Sequence, residues 1–273
     1  MRLLSILTLI SSLAILQACS PQQPASTETA TTDTADANTT QNENPEPGFV
    51  ELVEQAHAKA NFREHAAVQF DLQLFFGGSE RLNGTLTLST DSRQALIATK
   101  DGNKIYVQDD KIFLSPETEN KASARFGAYT WSYFFLLPFK LNDGGTIWTD
   151  YPDKSMNGKD YLTHKLSFEA GTGDAPDDWY VLYADEGNQL LQVAAYIVTA
   201  GQSQEEAEED PHAIEYLNYQ TVDGIPFATE WKFWGWRTEE GLTDQLGNAN
   251  LTNFKLLDNT DGVFTPPADF VEG

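Results

Sequence analysis

The chain predicts a mainly β fold, with some helix in an α+β arrangement: an antiparallel meander of about 11–12 strands and two good helices. Three observations carry this. Apolar residues alternate with polar ones at a period of two in segment after segment between Ala66 and Leu257. Turn dipeptides such as Asp101-Gly102 and Asp109-Asp110 separate those segments. Helical spacing of apolar residues occurs in two places only, after Pro47 and in the aromatic run around Trp131.

At 273 residues with 40% hydrophobic content, the chain is long enough to bury a substantial core. Lys and Arg total 17 against 41 for Asp and Glu, a net charge of −24. That balance repels phosphate, so no nucleic acid is expected as a partner, nor is a basic patch that would hold anionic lipid. The one cysteine, Cys19, leaves no intrachain disulfide to form.

Residues 1–18 have the layout of a secretory signal: Arg2, an apolar run from Leu3 to Leu16, then Gln17-Ala18 before Cys19. Leu16-Gln17-Ala18-Cys19 resembles the bacterial lipobox. The resemblance implies a Cys19 that is diacylated, becomes the mature N-terminus and anchors the chain to a membrane. Ser20 after it, where an Asp would imply retention, points by the same analogy to the outer membrane, facing the periplasm. Residues 19–48 follow as the lipidated cysteine and a linker, rich in Thr, Ala, Gln, Asn and Pro and without an aromatic or basic side chain. Such a composition cannot bury enough apolar surface to fold. It spans about 30 Å on average, so the folded part is expected to work close to its own membrane. Residues 49–273 are read as a single domain.

That domain opens with Phe49, Leu52, Val53, Ala56 and Ala60 at helical spacing, an amphipathic helix that lays one face on a sheet. The period then becomes two. Val68, Phe70, Leu72, Leu74 and Phe76 form a long half-buried strand, and Leu82, Leu86 and Leu88 the next. Segments 94–99, 104–108 and 111–115 continue the meander.

The run ARFGAYTWSYFFLLPFK, Ala124 to Lys140, interrupts it. A helix here should stop near Leu137, because the residue before Pro138 is pushed out of the α region. Trp131, Phe134 and Phe135 then share one face, and Tyr129, Tyr133 and Leu136 another, so the helix is apolar nearly all round. It is too short to cross a bilayer, which needs about 20 apolar residues. Two readings stand: a core helix packed on the sheet, or a lid over a cavity for an apolar ligand.

Strands resume at 146–149, 159–169, 179–184 and 190–199, and a last group covers 213–220, 227–236 and 250–257. In the second strand of that group Trp231 and Phe233 face one way, and Trp234 and Trp236 the other. Both faces are therefore expected to be covered, by helices or by a ligand; surface tryptophans stacking on sugar are the further alternative. Gln204–Asp210, QEEAEED, reads as a solvated loop, since a calcium loop would want a glycine-led turn. Pro266-Pro267 is expected to end the sheet.

Common catalytic layouts are missing. There is no Gly-x-Ser-x-Gly elbow, no Ser-x-x-Lys pair and no Gly-rich phosphate loop after a strand. His57, His65, His164 and His212 are scattered and never at metal-ligand spacing, so no metal and no cofactor is expected. Carboxylates are too abundant for any pair to be picked as a hydrolytic dyad. An enzyme is not expected, with a carboxylate-based hydrolase the remaining alternative.

The order of these elements resembles the lipoprotein carrier and receptor superfamily of the outer membrane, the Lol-type half-barrels: an N-terminal amphipathic helix, a long meander and an apolar helix inserted mid-sheet. The stretches YFFLLPFKLNDGG and DDWYVLYADEGNQLL are similar to an uncharacterised bacterial lipoprotein group within it. The resemblance implies a strongly curved sheet or unclosed β-barrel with the mid-chain helix as its lid. It further implies a hydrophobic ligand, such as an acyl chain, on the concave face. The residues expected to meet that ligand are Phe70, Leu72, Leu74, Phe76, Trp131, Phe134, Phe135, Trp231 and Phe233, exposed when the helix swings off. The rival is a ligand-free structural or partner-binding envelope protein whose sheet is filled by its own side chains.

Overall fold

The computed structural model describes residues 48–273; Cys19, the signal segment and nearly all of the linker lie outside the described residues. Its centre is one antiparallel sheet. The first five strands, β1 (Ala67–Phe76), β2 (Ser79–Ser89), β3 (Gln94–Thr99), β4 (Lys104–Gln108) and β5 (Lys111–Leu114), pair in sequence order. The later strands are β6 (Thr146–Asp150), β7 (Lys154–Met156), β8 (Lys159–Phe168), β9 (Tyr180–Asp185), β10 (Leu191–Tyr196), β11 (His212–Val222), β12 (Ile225–Arg237) and β13 (Gly241–Leu257). They run back across the sheet until β13 pairs with β1. A two-residue strand β14 (Val271–Glu272) joins the far edge beside β5. The two edges, β14 and β6, do not meet, so the sheet is an unclosed half-barrel.

The chain therefore leaves one edge at β5 and re-enters at the other edge at β6. Helix α3 (Lys121–Leu136) makes that crossing. At about 1.5 Å per residue it is about 24 Å long, and the connection carries it over the concave face. Asn120 caps it, its side chain accepting from the Ser123 N–H at 3.0 Å. It ends one residue short of the expected stop, and a 3-10 turn over Leu137–Phe139 takes up Pro138.

Two glycines beside β1 bring neighbouring strands unusually close. A Cβ on Gly84 would lie 2.4 Å from the Ala98 carbonyl oxygen, and one on Gly247 2.3 Å from that of Phe75. Both obstacles are backbone, which cannot move aside without breaking the ladder. Gly84→Ala is expected to cost about 1–3 kcal/mol in urea unfolding; a loss below a few tenths would mean that the strands are free to separate there.

Several details depart from expectation. The N-terminal helix is broken: α1 (Phe49–Ala56) stops, Ala58 turns left-handed at φ 52°, and α2 (Lys59–Phe62) follows. The break delivers Phe62 onto Phe139, rings 4.0 Å apart, a tertiary contact that overrides the regular spacing. Among the described residues fourteen strands form instead of 11–12. One of the additions, β7, is joined to β8 through Asn157-Gly158, both at positive φ, a hairpin signal present in the sequence and passed over. β13 begins at Gly241, nine residues ahead of the expected Asn250, because β12 supplies a ladder for a segment with little alternation of its own.

Gln204–Asp210 is not a loop: Gln204–Glu209 is helix α4. Ser203 and Glu206 close a reciprocal capping box, with Ser203 N–H donating to Glu206 Oε2 at 2.9 Å. The tail does not end the sheet at the prolines but returns to add β14.

The sheet is covered on its concave face and, over the later strands, on the other face as well. The large core fills the concave side and holds Val68, Phe70, Leu72 and Leu74 of β1 together with Phe134, Phe135 and Leu136 of α3, with Phe70 stacked on Phe135. A second core lies on the other face of the later strands, where Val181, Tyr183, Val193 and Ala195 are buried with Met156 of β7, Ala207 of α4 and Trp236. β12 separates the two, Trp231 and Phe233 in the first and Trp236 in the second. The surface facing Trp236 is thus protein.

Candidate functional site

A cavity of about 580 Å³ lies between α3 and the β8–β10 side of the sheet. One wall is a single face of α3, with Ala122, Phe126, Tyr129, Tyr133 and Leu136 recurring at three- and four-residue spacing. The opposite wall is Phe168, Tyr180, Tyr196 and Val198. The connection from β8 to β9 closes one side with Thr172, Asp174, Ala175 and Asp178, and the turn after α3 closes another with Lys140, Asp143 and Gly144.

Aromatic side chains give this space its shape. The Tyr133 and Tyr180 rings are 5.4 Å apart and tilted, and Phe168 stands edge-on to Tyr180 at 6.1 Å. Burial pushes the Tyr133, Tyr180 and Tyr196 hydroxyls well above the ordinary phenol range, so all three stay protonated. Ser132, also at the cavity, has a buried hydroxyl with no hydrogen-bond partner.

Charge at the site is almost entirely paired. Arg125 on α3 makes a two-pronged contact with Asp174, Nε to Oδ2 at 2.8 Å and Nη2 to Oδ1 at 2.9 Å. This clip ties the helix to the β8–β9 connection. Lys140 bonds Asp143 and the Ser92 hydroxyl. Asp178 has no cation beside it among the described residues. Burial raises its carboxyl above the usual range, opposed by bonds from the Thr199 amide at 2.8 Å and hydroxyl at 2.7 Å.

The histidines stand apart from this space. His65 pairs with Asp258 at 2.7 Å, His164 stacks on Phe49 at 4.5 Å, and His212 lies 3.4 Å from Asp210. Among the described residues no three His, Cys, Asp or Glu side chains gather as a metal set. No described helix is long and apolar enough to cross a membrane.

Over residues 79–235, more than half of the chain, the sequence matches the model of a family of unknown function, DUF6503. The chain belongs to that family. The match spans β2 to β12, and so both walls of the cavity. No curated protein matches the sequence. The DUF6503 fold is nonetheless shared with solved structures. A LolA superfamily protein from Nitrosomonas europaea superposes with a TM-score of 0.51 at 11% identity, over 78% of this chain and 97% of that one. A putative outer membrane lipoprotein-sorting protein domain from Vibrio parahaemolyticus gives 0.50 at 11%, over 76% and 91%. A DUF1329 family protein from Desulfovibrio piger gives 0.52 at 14%, over 80% and 98%. At such identities the likeness is one of fold, the LolA-type half-barrel.

Within the DUF6503 chain, the nine residues expected to meet a ligand do come together, but mostly with one another. Phe70 stacks on Phe135 at 4.1 Å, and Trp131 and Phe76 both stand edge-on to Phe233, at 5.9 and 5.5 Å. Leu72, Leu74 and Trp231 are fully buried in the same core. Phe134 alone of the nine also lines the cavity. The residues that sequence reasoning passed over are Tyr180, Tyr196, Phe168 and Asp178, from strands and loops far along the chain. The second face of α3, with Tyr129, Tyr133 and Leu136, was legible as a face but not as the one that borders the cavity.

Proposed function

We propose that this DUF6503 chain is a lipid-anchored envelope protein that holds one amphiphile with an acyl-type chain in the cavity beside α3. The observation carrying this is the cavity itself. Its volume of about 580 Å³ falls within the roughly 300–1,000 Å³ of small-ligand sites, and its aromatic walls suit an apolar chain. The lipobox-like sequence at Cys19 and the half-barrel shared with a lipoprotein-sorting domain support an envelope address on the periplasmic side of the outer membrane.

Packing argues against entry by a swing of the whole helix. Phe134, Phe135, Leu137 and Phe139 are all buried on or just after α3, and each costs about 1.5–3 kcal/mol to expose. The sum is comparable to the roughly 5–15 kcal/mol that holds a whole domain together. A smaller motion suffices at the mouth, where Phe126 is 42% exposed and the Arg125–Asp174 clip lies partly in solvent. The helix thus acts as a fixed roof, and the ligand enters beneath its outer face.

Titration of the protein with a long-chain amphiphile, followed by calorimetry, tests the reading. One ligand per chain is expected. Val198→Trp, which places an indole in the cavity, is expected to weaken binding by about tenfold or more with little change in melting temperature. Stoichiometric binding that ignores this substitution would place the ligand elsewhere.

A further inference from the structure

We infer that the cavity selects a neutral amphiphile with a hydroxyl-bearing head group and discriminates against fatty-acid and other anionic amphiphiles. This rests on the cavity being the ligand site, as proposed above. The first ground is charge. The cations that line the space are Arg125 and Lys140, and both are committed, to Asp174 and to Asp143 with Ser92. Asp178 remains, without a cationic partner among the described residues. A carboxylate or phosphate head would lose its water, gain no counter-charge and face Asp178 at reduced dielectric. No uncommitted cation of the lining is left to compensate it.

The second ground is unspent hydrogen-bonding capacity. The buried hydroxyls of Tyr216 and Tyr219 reach the Phe134 and Leu191 carbonyls at 2.9 and 2.5 Å. Those of Tyr133, Tyr180 and Tyr196, which line the cavity, have no such partner among the described residues. They are not sealed in the protein either, since among the described residues the buried side-chain atoms without a partner are Ser132 Oγ at the cavity and His164 Nδ1 away from it. A phenol both donates and accepts, and a carboxylate with one oxygen engaged by Thr199 still accepts. A head group with several hydroxyls can satisfy both kinds of partner, whereas an alkane satisfies none and a carboxylate cannot donate to Asp178. The wall is therefore matched to a polyol head above an apolar chain.

The experiment compares two probes of equal chain length, monomyristoylglycerol and myristate, by calorimetry on the folded protein near pH 8. The monoglyceride is expected to bind at least about tenfold more tightly, the scale of one or two buried hydrogen bonds and one uncompensated charge. Asp178→Asn is expected to narrow the gap to within about threefold, and Tyr180→Phe to weaken the monoglyceride more than myristate. Equal or tighter binding of myristate to the native protein would overturn the selectivity and leave the site standing. Failure of both probes to bind would remove the site, and the selectivity with it. A narrowed gap in Asp178→Asn with an unchanged melting temperature separates a role toward the ligand from a structural one.

Discussion

Phe135→Ala is expected to destabilise the protein by about 3–5 kcal/mol in urea or guanidinium unfolding. Phe135 is 6% exposed and lies at the point where α3 meets the sheet. Its ring stacks on Phe70 at 4.1 Å, on Phe227 at 5.6 Å and on Phe254 at 6.3 Å, so truncation opens a void bounded by three strands. Those strands are central ones, whose backbone cannot collapse inward without breaking pairing on both sides. Phe126→Ala, on the outer face of the same helix and 42% exposed, is expected to cost under 1 kcal/mol. A loss below about 1 kcal/mol for Phe135→Ala would show that the helix is not held as a roof, and would revive the swinging lid.

Acid should weaken the fold through His57. This side chain is fully buried at the end of α1, accepts the Leu191 N–H on Nε2 at 3.0 Å, and stands edge-on to Phe139 and Tyr219. Burial pushes its pKa down from 6.5 to about 3, since among the described residues no carboxylate offsets the cost of a charge there. The folded-state value lies below the unfolded one, so the unfolded chain takes up the proton first. The contribution to stability is complete above pH 6.5 and is lost as pH falls toward 3, at up to about 1.4 kcal/mol per pH unit. His57→Gln keeps an acceptor and has no proton to gain. Unfolding midpoints measured from pH 4 to 8 should therefore fall more steeply for the native protein than for the variant below pH 6.5. Parallel profiles would mean that His57 is charged or hydrated in the fold.

Much of the architecture was legible because it is written locally. Alternation over Val68–Phe76 and the Asp-Gly turns specify strands and their order whatever surrounds them. Helix α3 stops beside Pro138 as expected but not by the expected route: Leu137 keeps right-handed helical angles (φ −47°, ψ −46°), and the proline, with no N–H to donate, is taken into a 3-10 turn. Even two of the misjudged elements carried a local sign, Asn157-Gly158 for the β7 hairpin and Ser203-x-x-Glu206 for the cap of α4. The break at Ala58 had no such sign, since Phe139, against which Phe62 packs, lies far along the chain; β13 starts early because its neighbour β12 folds back on it, Arg237 opposite Gly241, a hairpin whose first residues show little alternation.

The candidate site was less legible for the same reason. The sequence alone settled that α3 is apolar on two faces, that β12 is aromatic on two faces, and that the chain is a β meander crossed by one helix. Which face of α3 turns to the sheet depends on its rotation about its own axis, and that rotation is fixed by how Phe134 and Phe135 pack among Phe70, Phe227 and Phe233. Only the tertiary structure decides it. Once the more apolar face is spent on the core, the tyrosine face is left over a space whose far wall comes from β8 to β10. A cavity is what packing leaves unfilled, a property of the whole assembly of side chains, and no single segment encodes it.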